Sequence, residues 1–171
     1  MKKLFEKVEV KNRNILSKAE KKKYNPKLGD ILDMKTDYTV ITVSTKLKLV
    51  KDNSGFLFFD YFGTVIPAIK SFNSSLFKTI WLDSGALGPI SRGADVMVPG
   101  IIKFIEKCPS FHKDEILGVE IEGQGIFAVG IALMSYDEMV QKKEGPVIDI
   151  LHVKGDSLDK GEIYWNNTSY S

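Results

Sequence analysis

The alternation of apolar and polar positions changes rhythm several times along the chain. Residues 3–10, KLFEKVEV, mix apolar and charged positions and predict a first strand. Residues 13–24 are lysine-rich, with sparse apolar positions at Ile15, Leu16, Ala19 and Tyr24. They predict a short helix ended by Pro26 and Gly29. Tyr38 to Ser44, YTVITVS, is β-branched and aromatic and predicts a strand. In KLKLVK (46–51), Leu47 and Leu49 alternate with lysines, and DNSG (52–55) has the residues of a hairpin turn. FLFFDY (56–61) predicts a buried strand broken by Gly63, and residues 68–78 a short helix.

The second half has shorter periods. TIWL (79–82) predicts a strand, followed by a Gly-rich stretch to Ile101 in which Asp95 to Val98 predicts a short strand and Pro99-Gly100 a sharp turn. Ile101 to Glu106 predicts another strand. Glu115 to Ile121 and Ile126 to Leu133 predict two more, joined by Glu122-Gly123-Gln124-Gly125. Ser135 and Glu138 have capping-box spacing and predict a helix to Lys143, stopped by Gly145-Pro146. Val147 to Val153 predicts a last strand. Short strands at this spacing predict a small barrel, which hides its own edges. Residues 156–171 are polar and predict a partly mobile tail, removable without loss of the fold.

Composition narrows the class. At 171 residues and 43% hydrophobic composition, the chain fits one or two compact domains. No apolar run has the ~18 residues needed to span a bilayer, and the charged start, MKKLFEKVEV, is unlike a secretion signal. A soluble cytoplasmic protein without membrane contact is expected. The single cysteine, Cys108, excludes an internal disulfide. The charge is asymmetric: residues 1–80 hold 16 Lys and Arg against 8 Asp and Glu, net +8, and residues 81–171 hold 8 against 14, net −6. Such a split predicts two domains with different surfaces. Lys21, Lys22 and Lys23 stand together in the basic half and are expected to add nonspecific attraction toward polyanions.

The chemistry of catalysis is thin. His112 lies in a polar loop and His152 in the last predicted strand, where a structural partner is expected; two distant histidines do not suggest a metal site. Cys108 precedes Pro109 with no nearby base. Neither a Walker-type loop nor a G-x-G-x-x-G fingerprint is present. No catalytic residue, metal or cofactor is implied.

The informative segment is DSGALGPISRGADVMVPGI (83–101), with glycines at 85, 88, 93 and 100. Glycine permits positive φ and close backbone approach. Two readings remain open on the residues alone: a tight barrel corner without a ligand, or a backbone-exposing loop that holds phosphate or stacks on a base.

The pattern D-x-G-A followed by G-A-D-V-M-x-P-G-I resembles the PUA domain, and FAVGIALM (127–134), a helix, and VIDILHV (147–153) continue the same order. The preceding FLFFDYFGTVIPAI (56–69) is similar to the end of a pre-PUA domain. Together they resemble the malignant T-cell amplified sequence family and its archaeal relatives. The resemblance implies an α+β chain: a pre-PUA α+β domain over 1–78, a PUA β pseudo-barrel over 79–155, and the tail 156–171.

It also implies an RNA-binding translation factor without catalysis. Such a factor docks on the small ribosomal subunit and assists tRNA placement or release in initiation, reinitiation or recycling. The alternative is an accessory RNA-binding module for tRNA or rRNA modification beside a separate catalytic subunit. The implied partners are RNA (a tRNA acceptor end or rRNA), the small ribosomal subunit and a density-regulated-protein-like protein. Carried position by position, the RNA-facing residues are Arg92, Gly93, Ala94, Asp95, Met97, Val98, Pro99, Gly100 and Lys103.

Overall fold

The structure is a computed structural model that describes residues 4–5 and 8–162. It is an α+β arrangement of two five-stranded sheets. The first is an antiparallel meander, β1 (Asn12–Ile15), β2 (Thr39–Ser44), β3 (Leu47–Asp52), β4 (Gly55–Tyr61) and β5 (Thr64–Pro67), paired in that order. Helix α1 (Lys18–Leu28) lies between β1 and β2 in sequence.

This sheet is buried on both faces, which explains the near-continuous apolar run of β4. Val40, Val50, Phe58 and Val65 face α1 and pack with Tyr24, Leu28 and Tyr38. Their neighbours Ile41, Leu49, Phe59 and Ile66 face the opposite way. The Tyr24 hydroxyl donates to Asp60 Oδ2 at 2.8 Å. Burial and then the Asp60 carboxylate raise the Tyr24 pKa.

The second sheet has the order β6 (Lys78–Leu82), β8 (Ile116–Ile121), β9 (Gly125–Ala132), β10 (Pro146–Val153) and β7 (Val96–Met97). Among the described residues, only β6 and β8 pair in parallel. The sheet curls as a pseudo-barrel around Ile80, Leu117, Val119, Ile121, Phe127, Ile148 and Ile150, with Val98 and Ile101 closing it. Short helices α2 (Leu87–Ser91) and α3 (Val98–Ile102) lie in the segment between β6 and β8, and α4 (Tyr136–Lys142) lies between β9 and β10. Ser135 caps α4 by accepting from the Glu138 amide.

The two sheets share a core. Val129 of β9 and Leu151 of β10 join Phe5, Leu49, Phe59 and Ile66. A register shift between Ile150 and His152 makes this possible, because the extra residue is a bulge that turns Leu151 toward the first sheet. Phe72 seals the connection: its ring lies on Gly118 of β8, where an added Cβ would come within 2.3 Å of it and force the ring to move.

Several expectations are corrected. The first strand is Asn12–Ile15 rather than 3–10; of the latter, residues 3, 6 and 7 lie outside the described set. Helix α1 starts later than expected because Ser17 caps it with Glu20 in a reciprocal capping box. It runs through Pro26 to Gly29, which takes a left-handed φ of 75°. The Asn25 side chain holds this end by bonding both the amide and the carbonyl of Leu32. Residues 68–78 give only a 3-10 turn, Ile69–Ser71. Residues 98–106, read as strand, turn and strand, form α3 and a 3-10 turn, with Pro99 in the first turn of the helix, where its missing N–H is harmless.

The expected tail begins as structure. Asp156 caps helix α5 (Ser157–Lys160), and Leu158 is 2% exposed in the shared core. Residues 163–171 lie outside the described set. Truncation after Gly155 is therefore expected to lower the melting temperature, against the sequence expectation. Leu158→Ala should cost about 2 kcal/mol by removing core volume, measured by urea unfolding.

Candidate nucleic-acid interface

The Gly-rich segment resolves into local geometry. After β6, Asp83 leads into a 3-10 turn, Ser84–Ala86, and then α2. The helix closes in a Schellman motif: the Gly93 amide donates to the Ile90 carbonyl at 2.9 Å and the Ala94 amide to the Pro89 carbonyl at 3.1 Å. Gly93 has φ 83°, a left-handed conformation that favours glycine. Arg92 is exposed, and its guanidinium folds across Gly88, where an added Cβ would lie 3.4 Å from it.

Arg92 and Gly93 line a cleft of about 280 Å³. Its other walls are the end of β10 and the following turn, which bring Lys154 and Asp156, together with Lys160 of α5 and the N-terminal Leu4 and Phe5. Three cationic side chains, Arg92, Lys154 and Lys160, meet two carboxylates there, Asp156 and Glu162. Asp156 is committed to internal donors: it accepts from the Val153 amide at 3.0 Å, the Asp159 amide at 2.9 Å and His152 Nδ1 at 2.7 Å. The arrangement gives a rim of exposed cations, with the exposed Glu162 among them, over an apolar floor.

The remaining positions separate. Ala94 is half-buried and Asp95 exposed beside the motif. Met97 is 48% exposed, while Pro99 and Gly100 lie in the first turns of α3. Val98 is 0% exposed within the barrel core, so its expected RNA contact is corrected: its side chain faces inward. Lys103 is outside the cleft lining and pairs with Asp83 at 3.2 Å. It stands beside Phe104, which meets Trp81 edge-on at 4.9 Å, and Lys107 lies 3.7 Å over the Trp81 ring.

Lys21 is also corrected. It is 3% exposed, and its ammonium donates to the Met34 carbonyl at 3.1 Å and to that of Thr36. It fastens the loop before β2 to α1, leaving Lys22 and Lys23 as the exposed members of the triplet. The sequence reading did not single out Lys154 and Lys160, which reach the cleft through the turn after β10 and through α5.

Cys108 is half-buried, and burial pushes its thiol up to about 11, away from nucleophilic use at neutral pH. His152 is buried in a structural role, as expected. Among the described residues, no group of three or more His, Cys, Asp or Glu could hold a metal, and no helix is long and apolar enough to cross a membrane.

Residues 78–154 match the PUA domain family. The matched residues coincide with the curled second sheet. The likeness extends across both sheets. Over 143 residues the chain is 29% identical to translation machinery-associated protein 20 of Eremothecium gossypii, covering 78% of this chain and 79% of that one. A conserved PUA domain protein from Thermoplasma acidophilum shares the fold with a TM-score of 0.67 at 23% identity, over 88% of this chain and 99% of that one. A shorter match, 28% identical over 91 residues, reaches a probable tRNA pseudouridine synthase B of Thermococcus kodakarensis, covering 53% of this chain and 26% of that protein. The chain thus resembles the malignant T-cell amplified sequence family and its archaeal relatives over both halves.

Lys21→Ala is expected to destabilise the protein by about 1 kcal/mol, since it removes the hydrogen bonds that the buried Lys21 ammonium donates to the Met34 and Thr36 carbonyls. Lys22→Ala and Lys23→Ala should leave the melting temperature unchanged. Thermal denaturation followed by circular dichroism checks the contrast.

Proposed function

We propose that this protein is a non-catalytic RNA-binding translation factor that docks on the small ribosomal subunit and assists placement or release of tRNA. The cleft carries the reading. It is an exposed groove with Arg92, Lys154 and Lys160 around an apolar floor, suited to an unpaired RNA end whose phosphates meet cations. Arg92 offers a planar fork for phosphate or a face for a base. The Gly93 backbone turns close beside it. Likeness to translation machinery-associated protein 20 over most of both chains supports placing this contact in translation.

In this reading residues 1–78 form the basic pre-PUA domain and 79–155 the PUA domain, with α5 completing the RNA cleft. The net +8 of residues 1–80 supplies long-range attraction to rRNA, and the acidic second half limits its own contact to the local cationic rim. Ala94, Asp95, Met97, Pro99, Gly100 and Lys103 form a flanking surface, and Lys22 and Lys23 add nonspecific attraction. The protein works in the cytoplasm, and a density-regulated-protein-like partner joins it on the ribosome.

A second reading draws on the match to tRNA pseudouridine synthase B: an accessory module that presents RNA to a separate modifying enzyme. Co-purification with such an enzyme, without ribosomal subunits, would favour it.

Arg92→Ala combined with Lys154→Ala is expected to weaken binding of deacylated tRNA about tenfold or more and to lower the salt slope by about 1–2. The melting temperature should stay unchanged, because both side chains are exposed. Filter binding across a salt series measures this. Wild-type affinity in the double variant would remove the cleft from RNA recognition.

A further inference from the structure

The turn from β4 to β5 holds an arrangement that folding alone disfavours. Its two central residues, Phe62 and Gly63, both have positive φ, 54° and 84°. Residues Tyr61 and Thr64 pair across it, so it is a two-residue hairpin with the type I′ pattern. Asn or Asp is the ordinary first residue of such a turn, and a bulky aromatic there is a conformational outlier. Nor does burial offset the strain, because Phe62 remains 59% exposed.

The ring is nevertheless held in place. The Phe62 amide donates to the Lys46 carbonyl at 2.8 Å, and the Gly63 amide donates to Asp60 Oδ1 at 2.9 Å. Tyr61 meets the ring edge-on with centroids 4.5 Å apart. Lys46 Nζ stands 5.0 Å from the ring centroid. The result is a fixed aromatic platform in solvent with a cation beside it, at one end of the basic sheet. Strain held at an exposed position points toward use.

We propose that the Phe62–Lys46 tip is a second RNA contact, where an unpaired base stacks on Phe62 and Lys46 meets the neighbouring phosphate. The inference deepens the RNA-binding reading and rests on it, but it uses residues of the other sheet. RNA fits better than an apolar protein surface for two reasons. The tip belongs to the half with net charge +8, which attracts a polyanion. The pairing of an aromatic face with a lysine also matches both parts of a nucleotide, the base and its phosphate.

The test is fluorescence anisotropy of the full chain with a labelled, unstructured 12-nucleotide RNA and with the same backbone made abasic. Phe62→Asn removes the ring but suits the left-handed turn, so the fold is kept; thermal melting verifies it. It should weaken binding of the RNA about tenfold and leave the abasic strand unaffected. Phe62→Trp should restore affinity. Lys46→Gln should weaken both strands and lower the salt slope by about 0.7.

Wild-type affinity in Phe62→Asn, or an equal loss on both strands, overturns the proposal. The cleft variant Arg92→Ala with Lys154→Ala is measured alongside. If it alone loses affinity, the tip is excluded and the cleft stands. If Phe62→Asn alone loses affinity, the tip stands and the cleft assignment falls. A wild-type chain that binds neither strand at low salt overturns both.

Discussion

His152 sits where the two sheets meet, 1% exposed, and much of the architecture depends on its two ring nitrogens. The Ile69 amide, in the connection between the sheets, donates to Nε2 at 3.2 Å. That makes Nε2 the acceptor and leaves the ring proton on Nδ1, which Asp156 receives at 2.7 Å. One imidazole thus ties the connection, β10 and the cap of α5. Phe5 and Phe59 pack edge-on against it, with centroids 5.9 and 6.2 Å away. A buried polar ring is tolerated only when both nitrogens are satisfied, and here they are. The bulge around Leu151 brings that residue into the same interface.

The cleft inherits its shape from this junction. Asp156 holds His152 with its carboxylate and starts α5 with the same group, so Lys154 and Lys160 are fixed relative to Arg92 through the core. Gly93 fixes the opposite wall by ending α2 in a left-handed turn. The cationic groups are therefore held by two separate elements that meet only in the folded chain. The basic first sheet and the curled second sheet are thus packed together through one shared apolar face.

Much of this was legible in the sequence. The alternation of KLKLVK, the FLFFDY run and the paired strands around Gly123 and Gly125 encode burial and turns locally, and each forms as expected. The PUA motif located the Arg92–Gly93 loop. What failed depended on distance or ambiguity. VPGII reads as turn and strand because a short apolar run does not distinguish a strand from one helical turn. Lys21 looks like its neighbours in a lysine run, yet carbonyls 13 and 15 residues away bury its charge. Leu158 is one apolar residue in a polar stretch, and only the hydrophobic space between the sheets reveals its role. Lys154 and Lys160 carry no motif, because their relation to Arg92 exists only in three dimensions.

The central claim is that shape recognition by the cleft adds to charge attraction on the small ribosomal subunit. The most direct measurement is co-sedimentation of the purified protein with purified small subunits, with and without tRNA, across a salt series. Charge alone gives binding that falls steeply with salt. The account predicts association that persists at raised salt and responds to tRNA. Association that vanishes as salt rises and is indifferent to tRNA would contradict it.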